Sequence, residues 1–445
     1  MKDARLRRVV STALLTSACA VTALSAQVAF PADRVLTHRE QAPIVKAWIQ
    51  QRFTQVLPAL MQREGIDMWI VVSREYNDDP VFRSMSPLTT YASRRRTILV
   101  FSLGRGPAGP AFDAFSVGRF DYDGLYTVIR THNDGQWEGL RTLVEKRQPK
   151  TIGVNVSEQH AHADGLTANE RDNLLRALGP VYAPRVKSAE KLAVGWLETK
   201  LPEETAAYTH VMQVAHGIIR DAFSNKVITP GTTTTEDVVW WMRQRVAELG
   251  LGGWFHPSVS IQRKGGVKDR DIVIRPGDLL HTDFGLVYLG LSTDTQHHAY
   301  VLAAGETDAP AGIRAGLAAA NRLQDITMAH AKIGVSGNQA LAGALAQAKR
   351  EGLVPTIYCH PIGYHGHGAG PPIGMTDYQQ GVPGRGDDLF RPDTWHSIEL
   401  NVMHKVPEWN GQAVRFALEE DAGLFAAGWR WIDGRQERLY LIKSW

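Results

Sequence analysis

The chain has 445 residues, of which 44% are hydrophobic and 21% charged. This ordinary globular balance makes disorder unexpected outside the N-terminus, and the length suggests two domains. The net charge of +3 and pI near 8.7 rest largely on the first 26 residues, where Lys2, Arg5, Arg7 and Arg8 precede an apolar, small-residue run ending Ala23-Leu24-Ser25-Ala26. That layout predicts a secretory signal over 1–26 and an exported protein, periplasmic or secreted. The run is too short and too rich in Ser and Thr for a good membrane span. Lipoprotein anchoring through Cys19 is an alternative, although Thr16 stands where Leu is usual. Losing the segment removes four positive charges and one negative, leaving a net charge of about 0. Nothing then points to nucleic acid or an acidic membrane surface, and no second run is long enough to span a bilayer. Cys359 would be the remaining thiol, so no internal disulfide is expected.

From Gln41 to Glu64, Ile44, Trp48, Phe53, Val56 and Leu60 recur at helical spacing. Short apolar runs at 68–72, 97–101 and 151–154 predict buried strands. Residues 34–195 therefore suggest a small α/β domain with a supporting or substrate-shaping role. A boundary falls near 196–203, where Pro202-Glu203-Glu204 opens a helix. Thr233 and Glu236 predict a capping box for the next helix, with Val238, Trp241, Met242, Val246 and Leu249 on its apolar face. Further helices are expected over 313–330 and 338–350. Strands are expected over 272–274, 279–291, 298–302 and 397–402. The second half, 200–445, is thus predicted to be α+β.

Four segments of that half carry candidate chemistry. Asp283 and Asp294 are 11 residues apart. On one strand that odd spacing would point them to opposite faces, but the glycine-containing stretch 285–290 predicts a hairpin that brings them together on neighbouring strands. Two acids beside a turn are more often simply solvated. Cys359 to Gly370 reads CHPIGYHGHGAG, with His360, His365 and His367 set among glycines that permit close approach. Taken alone this is a flexible loop. Glu399 lies between Ile398 and Leu400 and, on a strand, would face away from both. Glu419-Glu420-Asp421 would ordinarily be a solvated turn.

Together, in this order, the four segments resemble the pita-bread metallopeptidases, the group of aminopeptidase P, prolidase, methionine aminopeptidase and the metal-free creatinase. The resemblance covers about residues 200–430. The first half is also like the smaller domain of the aminopeptidase P, prolidase and creatinase branch. It implies a pita-bread catalytic domain over 200–445 with a smaller α/β domain in front. It implies two divalent ions, with Asp283 chelating one, Asp294 and Glu420 bridging both, and His367 and Glu399 completing the coordination of the second ion. Glu420 is preferred because Asp421 follows it; Glu419 is the fallback. An oxygen-rich donor set favours Mn²⁺, with Zn²⁺, Co²⁺ and Fe²⁺ also suited. Such a pair, about 3.5–4 Å apart, would activate a bridging water, and Glu399 would move its proton to the leaving amine. The implied substrate is a peptide, cut at an N-terminal or dipeptide bond, with Xaa-Pro among the candidate bonds. A homodimer is implied by analogy alone.

The sequence departs from that family at its auxiliary histidines. Residues 264–267 carry none, and Gly363 and Gly374 stand where the family has two others. His360, His365 and His256 are the candidate replacements, with His360 and His365 placed beside Glu399 as catalytic. His281, His297 and His298 read as structural, and Tyr364 and Asp377 as possible cleft residues. The alternatives are a metal-binding protein without turnover and a creatinase-like hydrolase of another C–N bond. The retained ligands argue against the latter.

Overall fold

The computed structural model describes residues 30, 34–106, 109–132, 135–268 and 271–444. The expected leader, Cys19 included, lies outside them. Helix α1 (His38–Gln55) opens on a capping box between Thr37 and Glu40. A second helix, α2 (Leu57–Glu64), follows at once. The single apolar stretch read over 41–64 divides because Pro58, in the first turn of α2, has no N–H to continue the ladder. After it come β1 (Met68–Arg74), β2 (Arg96–Gly106), β3 (Gly109–Gly118), β4 (Thr127–Arg130), α3 (Gln136–Arg147), β5 (Ile152–Val154), α4 (Ala168–Tyr182), β6 (Val186–Ser188) and α5 (Glu190–Glu198). The six strands form one mixed sheet in the order β4-β3-β2-β1-β5-β6.

Both faces of this sheet are covered, which is why its central strands read as continuous apolar runs. Met68, Ile70, Ile98 and Val100 pack with Leu140, Val144 and Leu174 from α3 and α4. Trp69, Val71, Leu99 and Phe101 belong to a larger core that also includes Trp48, Phe53 and Trp196 and continues into Tyr208, Val211 and Phe284 of the second half.

That half begins with α6 (Pro202–Ala222) and α7 (Thr235–Glu248). The α7 cap pairs Thr234 with Asp237, one residue beyond the expected box at Thr233 and Glu236, because it is the Thr234 hydroxyl that reaches the Asp237 N–H. The strands are β7 (Ser258–Gln262), β8 (Leu279–Phe284), β9 (Val287–Tyr288), β10 (Leu291–Ser292) and β11 (Thr295–Val301). Then come α8 (Ala311–His330), α9 (Gly337–Arg350), β12 (Pro355–Ile357), β13 (His360–Pro361), β14 (Thr394–Ser397), β15 (Leu400–Val406), β16 (Gln412–Leu418), β17 (Asp421–Phe425), β18 (Gly428–Trp431) and β19 (Tyr440–Ile442). They build the sheets β19-β11-β8-β7, β12-β15-β16 and β13-β14-β17-β18. An isolated pairing of Gln296 with Glu419 links the first to the segment joining the other two. The strand expected over 272–274 is a single bridge at Val273 instead. There Asp271 accepts the Val273 N–H and binds Arg263 and Arg275, competing with a ladder.

A buried ion pair ties the halves together, and a second buried cation sits behind the histidine-rich loop. Arg52 of α1 donates to Glu204 at 3.1 Å and to the Thr199 carbonyl at 2.6 Å, with both side chains of the ion pair fully buried. Glu204 also accepts the Leu201 N–H and the Tyr364 hydroxyl. Lys200 is buried beside Gly363, where a Cβ would strike it, and donates to the carbonyls of Leu197 and Glu198. Burial pushes its amine down to about 7, against the pull of Glu204.

Arg52→Met should destabilise by about 3–5 kcal/mol, because Glu204 is left charged without a partner. Arg52→Met/Glu204→Gln should recover part of that loss in urea unfolding. Lys200 binds its proton less readily folded than unfolded. Wild type should therefore gain stability relative to Lys200→Met as pH rises from about 7 towards 10.5. Parallel melting curves for the two across that window would show the account of Lys200 to be wrong.

Candidate metal centre

Asp283 lies near the end of β8 and Asp294 immediately before β11, and the two strands pair antiparallel with Asp283 opposite Gln296. The ten residues between the two acids fold out as a small hairpin, β9-β10, around Leu289 and Gly290 at φ of 57° and 74°. A tight turn of that hand needs such angles. The expected hairpin is therefore present, and it does bring the two aspartates together.

Asp283, Asp294 and Glu419 each place a carboxylate oxygen within 4.8 Å of the others. His360, Glu399 and Glu419 do the same, as do Asp294, His360 and His367. His360 Nε2 stands 3.1 Å from Glu419, 3.5 Å from Asp294 and 4.0 Å from Glu399. Six donors thus converge: four carboxylates and two imidazoles. Glu399 occupies the two-residue break between β14 and β15 rather than a strand interior. Its carbonyl accepts the Tyr358 N–H and the buried Cys359 thiol. The Gln296 amide donates to Glu399 at 2.5 Å and to Glu419 at 2.9 Å, holding two of the acids in place. Ser397 donates to Glu419 as well. Asp421 accepts the Asp294 N–H and the Tyr208 hydroxyl, fixing the backbone under Asp294.

The expected role of Glu420 is corrected by this geometry. Its side chain turns away from the cluster and is held by His297 at 2.5 Å and His216 at 3.0 Å. Neighbouring residues in extended chain face opposite ways, and it is Glu419 that faces Asp294. His365 also stands apart. Its Nε2 meets the Pro80 carbonyl at 3.0 Å and its ring lies against His162. The role expected of it beside Glu399 is therefore withdrawn. His256 packs on Trp240 and contacts Arg243. Tyr364 is half-buried and donates to Glu204, and Asp377 is exposed. His281 bonds Gln296, and His298 bonds the Leu280 carbonyl, as expected of structural histidines. Gln296 was missed. Its signal was available, since it lies two residues past Asp294 on the same strand face.

Electrostatics fit a cation site. Burial, reinforced by Glu419, pushes the carboxyls of Asp283, Asp294 and Glu399 well above the usual range. Oδ1 of Asp283 and Oδ1 of Asp294 are buried without a hydrogen-bond partner, as oxygens reserved for a metal would be. Glu420 behaves oppositely. Burial opposes its charge, but His297 and His216 outweigh it and hold the carboxyl down at about 2.

Residues 206–421 match the model of metallopeptidase family M24. No curated protein sequence matches the chain. Among solved structures, it is similar to an X-Pro aminopeptidase from Thermotoga maritima at 14% identity and TM-score 0.62, covering 86% of this chain and 99% of that one. A Xaa-Pro dipeptidase from Bacillus anthracis shares 16% identity at TM-score 0.54, covering 90% and 99%. The dipeptidase PepE from Mycobacterium ulcerans shares 15% at TM-score 0.54, again covering 90% and 99%. These likenesses establish the pita-bread fold.

Glu419→Gln should weaken divalent-metal retention at least ~10-fold, measured by chelator competition. Glu420→Gln should leave retention at the six-donor cluster nearly unchanged. It should lower stability by ~1–3 kcal/mol, since two buried imidazoles lose their acceptor. The reverse pattern would place Glu420, not Glu419, among the ligands. With the fold, the donor set and the family match in agreement, residues 206–421 of this chain belong to metallopeptidase family M24.

Proposed function

We propose that this chain is an exported metallopeptidase that hydrolyses an N-terminal or dipeptide bond, at Xaa-Pro, with two divalent ions in the six-donor cluster. The observation that carries the reading is the convergence of two buried and two half-buried carboxylates, two of the four with unpartnered oxygens, on two imidazoles. Asp283, Asp294 and Glu419 would hold one ion. Asp294 and Glu419 would share the second with Glu399 and with His360 or His367. Mn²⁺ suits so oxygen-rich a set. When bound, the ions supply a water acidified to near neutrality and a Lewis acid for the scissile carbonyl.

The remaining steps belong to side chains. Glu399 takes the water's proton and delivers it to the leaving amine. The Gln296 amide anchors one Glu399 oxygen and leaves the other for that transfer. His367, exposed at the cluster's edge, packs against Trp254. Trp254, Phe255, Pro257 and Phe284 line a neighbouring cavity of about 370 Å³, which suits an apolar residue flanking the bond. Gly366 lets Trp254 approach, because a Cβ there would collide with the indole. In this reading residues 34–195 are the supporting domain and 200–445 the catalytic one.

Turnover of Xaa-Pro dipeptides and of peptides beginning Xaa-Pro tests the proposal. Chelation should abolish it and Mn²⁺ restore it. Glu399→Gln should lower kcat by ~10²–10⁴-fold. A Mn²⁺-loaded wild type inert on all such peptides would favour a binding role instead.

A further inference from the structure

The correction at Glu420 leaves a second cluster that the peptidase reading does not use. His216 from α6, His297 from β11 and Glu420 each place a ligand atom within 4.8 Å of the other two. His216 Nε2 lies 3.0 Å from one Glu420 oxygen and His297 Nε2 lies 2.5 Å from the other. The imidazole rings are stacked with centroids 5.2 Å apart, so both Nε2 atoms face the same carboxylate. Each outer nitrogen is engaged elsewhere. His216 Nδ1 meets the Asp433 carboxylate at 2.8 Å and His297 Nδ1 meets the Tyr440 hydroxyl at 3.3 Å. The Gln436 N–H fixes the Glu420 oxygen that faces His297.

This is how metal-binding histidines are oriented: the outer nitrogen is held by a carboxylate or hydroxyl while the inner one is aimed at the ion. Two imidazoles and one carboxylate match the donor set of Zn²⁺ and similar borderline ions. Ligand atoms on such an ion, bonded at 2.0–2.1 Å, stand about 3.3 Å from one another. The observed separations need small shifts to reach that. Glu420 and His297 are nearly inaccessible, whereas the His216 side chain keeps 13% of its exposure, so an ion and a water as fourth ligand would enter from that side.

We propose that His216, His297 and Glu420 form a separate mononuclear site for a Zn²⁺-class ion, oriented by Asp433 and Tyr440. The ion would staple α6 and β11 to the C-terminal segment that carries Asp433, Gln436 and Tyr440. Glu420 is covalently next to Glu419, but the two clusters share no ligand. The ion's role is positional, and the site stands whether or not the chain cleaves peptides.

The test removes the larger cluster and asks what still binds. Full-length Asp283→Asn/Asp294→Asn/Glu419→Gln is stripped with chelator, exposed to Zn²⁺ and desalted before metal analysis. One retained equivalent per chain is expected, together with a higher melting temperature. Adding His216→Asn to that variant should lose the equivalent. In the first variant Co²⁺ should give the intense visible bands of a four-coordinate ion, a readout that survives if the His216 variant misfolds. Absence of Zn²⁺ from the first variant, or Co²⁺ bands as weak as those of the aqueous ion, would overturn the site. Retention of Zn²⁺ without peptide turnover by wild type would sink the peptidase reading and leave this one standing.

Discussion

Four carboxylates brought to one buried point set the terms for the rest of this molecule. Two unit charges 4 Å apart repel by about 4 kcal/mol at an effective dielectric of 20. Several such pairs among Asp283, Asp294, Glu399 and Glu419 would rival the 5–15 kcal/mol by which a typical domain is stable. The chain must either protonate these acids or place cations among them. Without cations, Asp283, Asp294 and Glu399 are driven towards protonation, while unpartnered oxygens stay aimed inward. His360 supplies part of the compensation. Burial works against its charge, yet Glu419 and Glu399 lift the imidazole to about 9.

The surrounding structure keeps those acids from scattering. Gln296 bridges two of them, Asp421 secures the backbone of a third, and the paired strands β8 and β11 prevent the aspartates from drifting apart. A few ångströms away, Glu420 shows the opposite solution to the same difficulty. It is equally buried, but two imidazoles keep it ionised. Adjacent glutamates thus enter different surroundings because alternate residues of extended chain face opposite ways.

Much of the fold could be read from residues. The buried strands β1 and β2, the helix opened by Pro202 and the helices α8 and α9 all followed from apolar spacing and end signals. The hairpin that joins Asp283 to Asp294 followed from its glycines. What escaped was set by tertiary contact. Strands β3, β4 and β6 lack a clean apolar run, and β4 and β6 are only partly buried. Nothing local distinguishes Glu419 from Glu420; the choice depends on which of them meets Asp294 once β11 and the 419–421 segment pair. His365 lies within two residues of His367, yet the first half of the chain captures it through Pro80, a contact 285 residues away that no motif encodes.

The alternation at Glu419 and Glu420 also bears on how this stretch can evolve. Strand β16 reaches them from the β15–β16 turn, where Asn410 and Gly411 take left-handed angles. Inserting or deleting one residue between that turn and Glu419 would slip the register and exchange the two glutamates between their surroundings. Related chains should therefore tolerate substitutions along β16 far better than changes in its length. Where its length does vary, indels should come in compensating pairs.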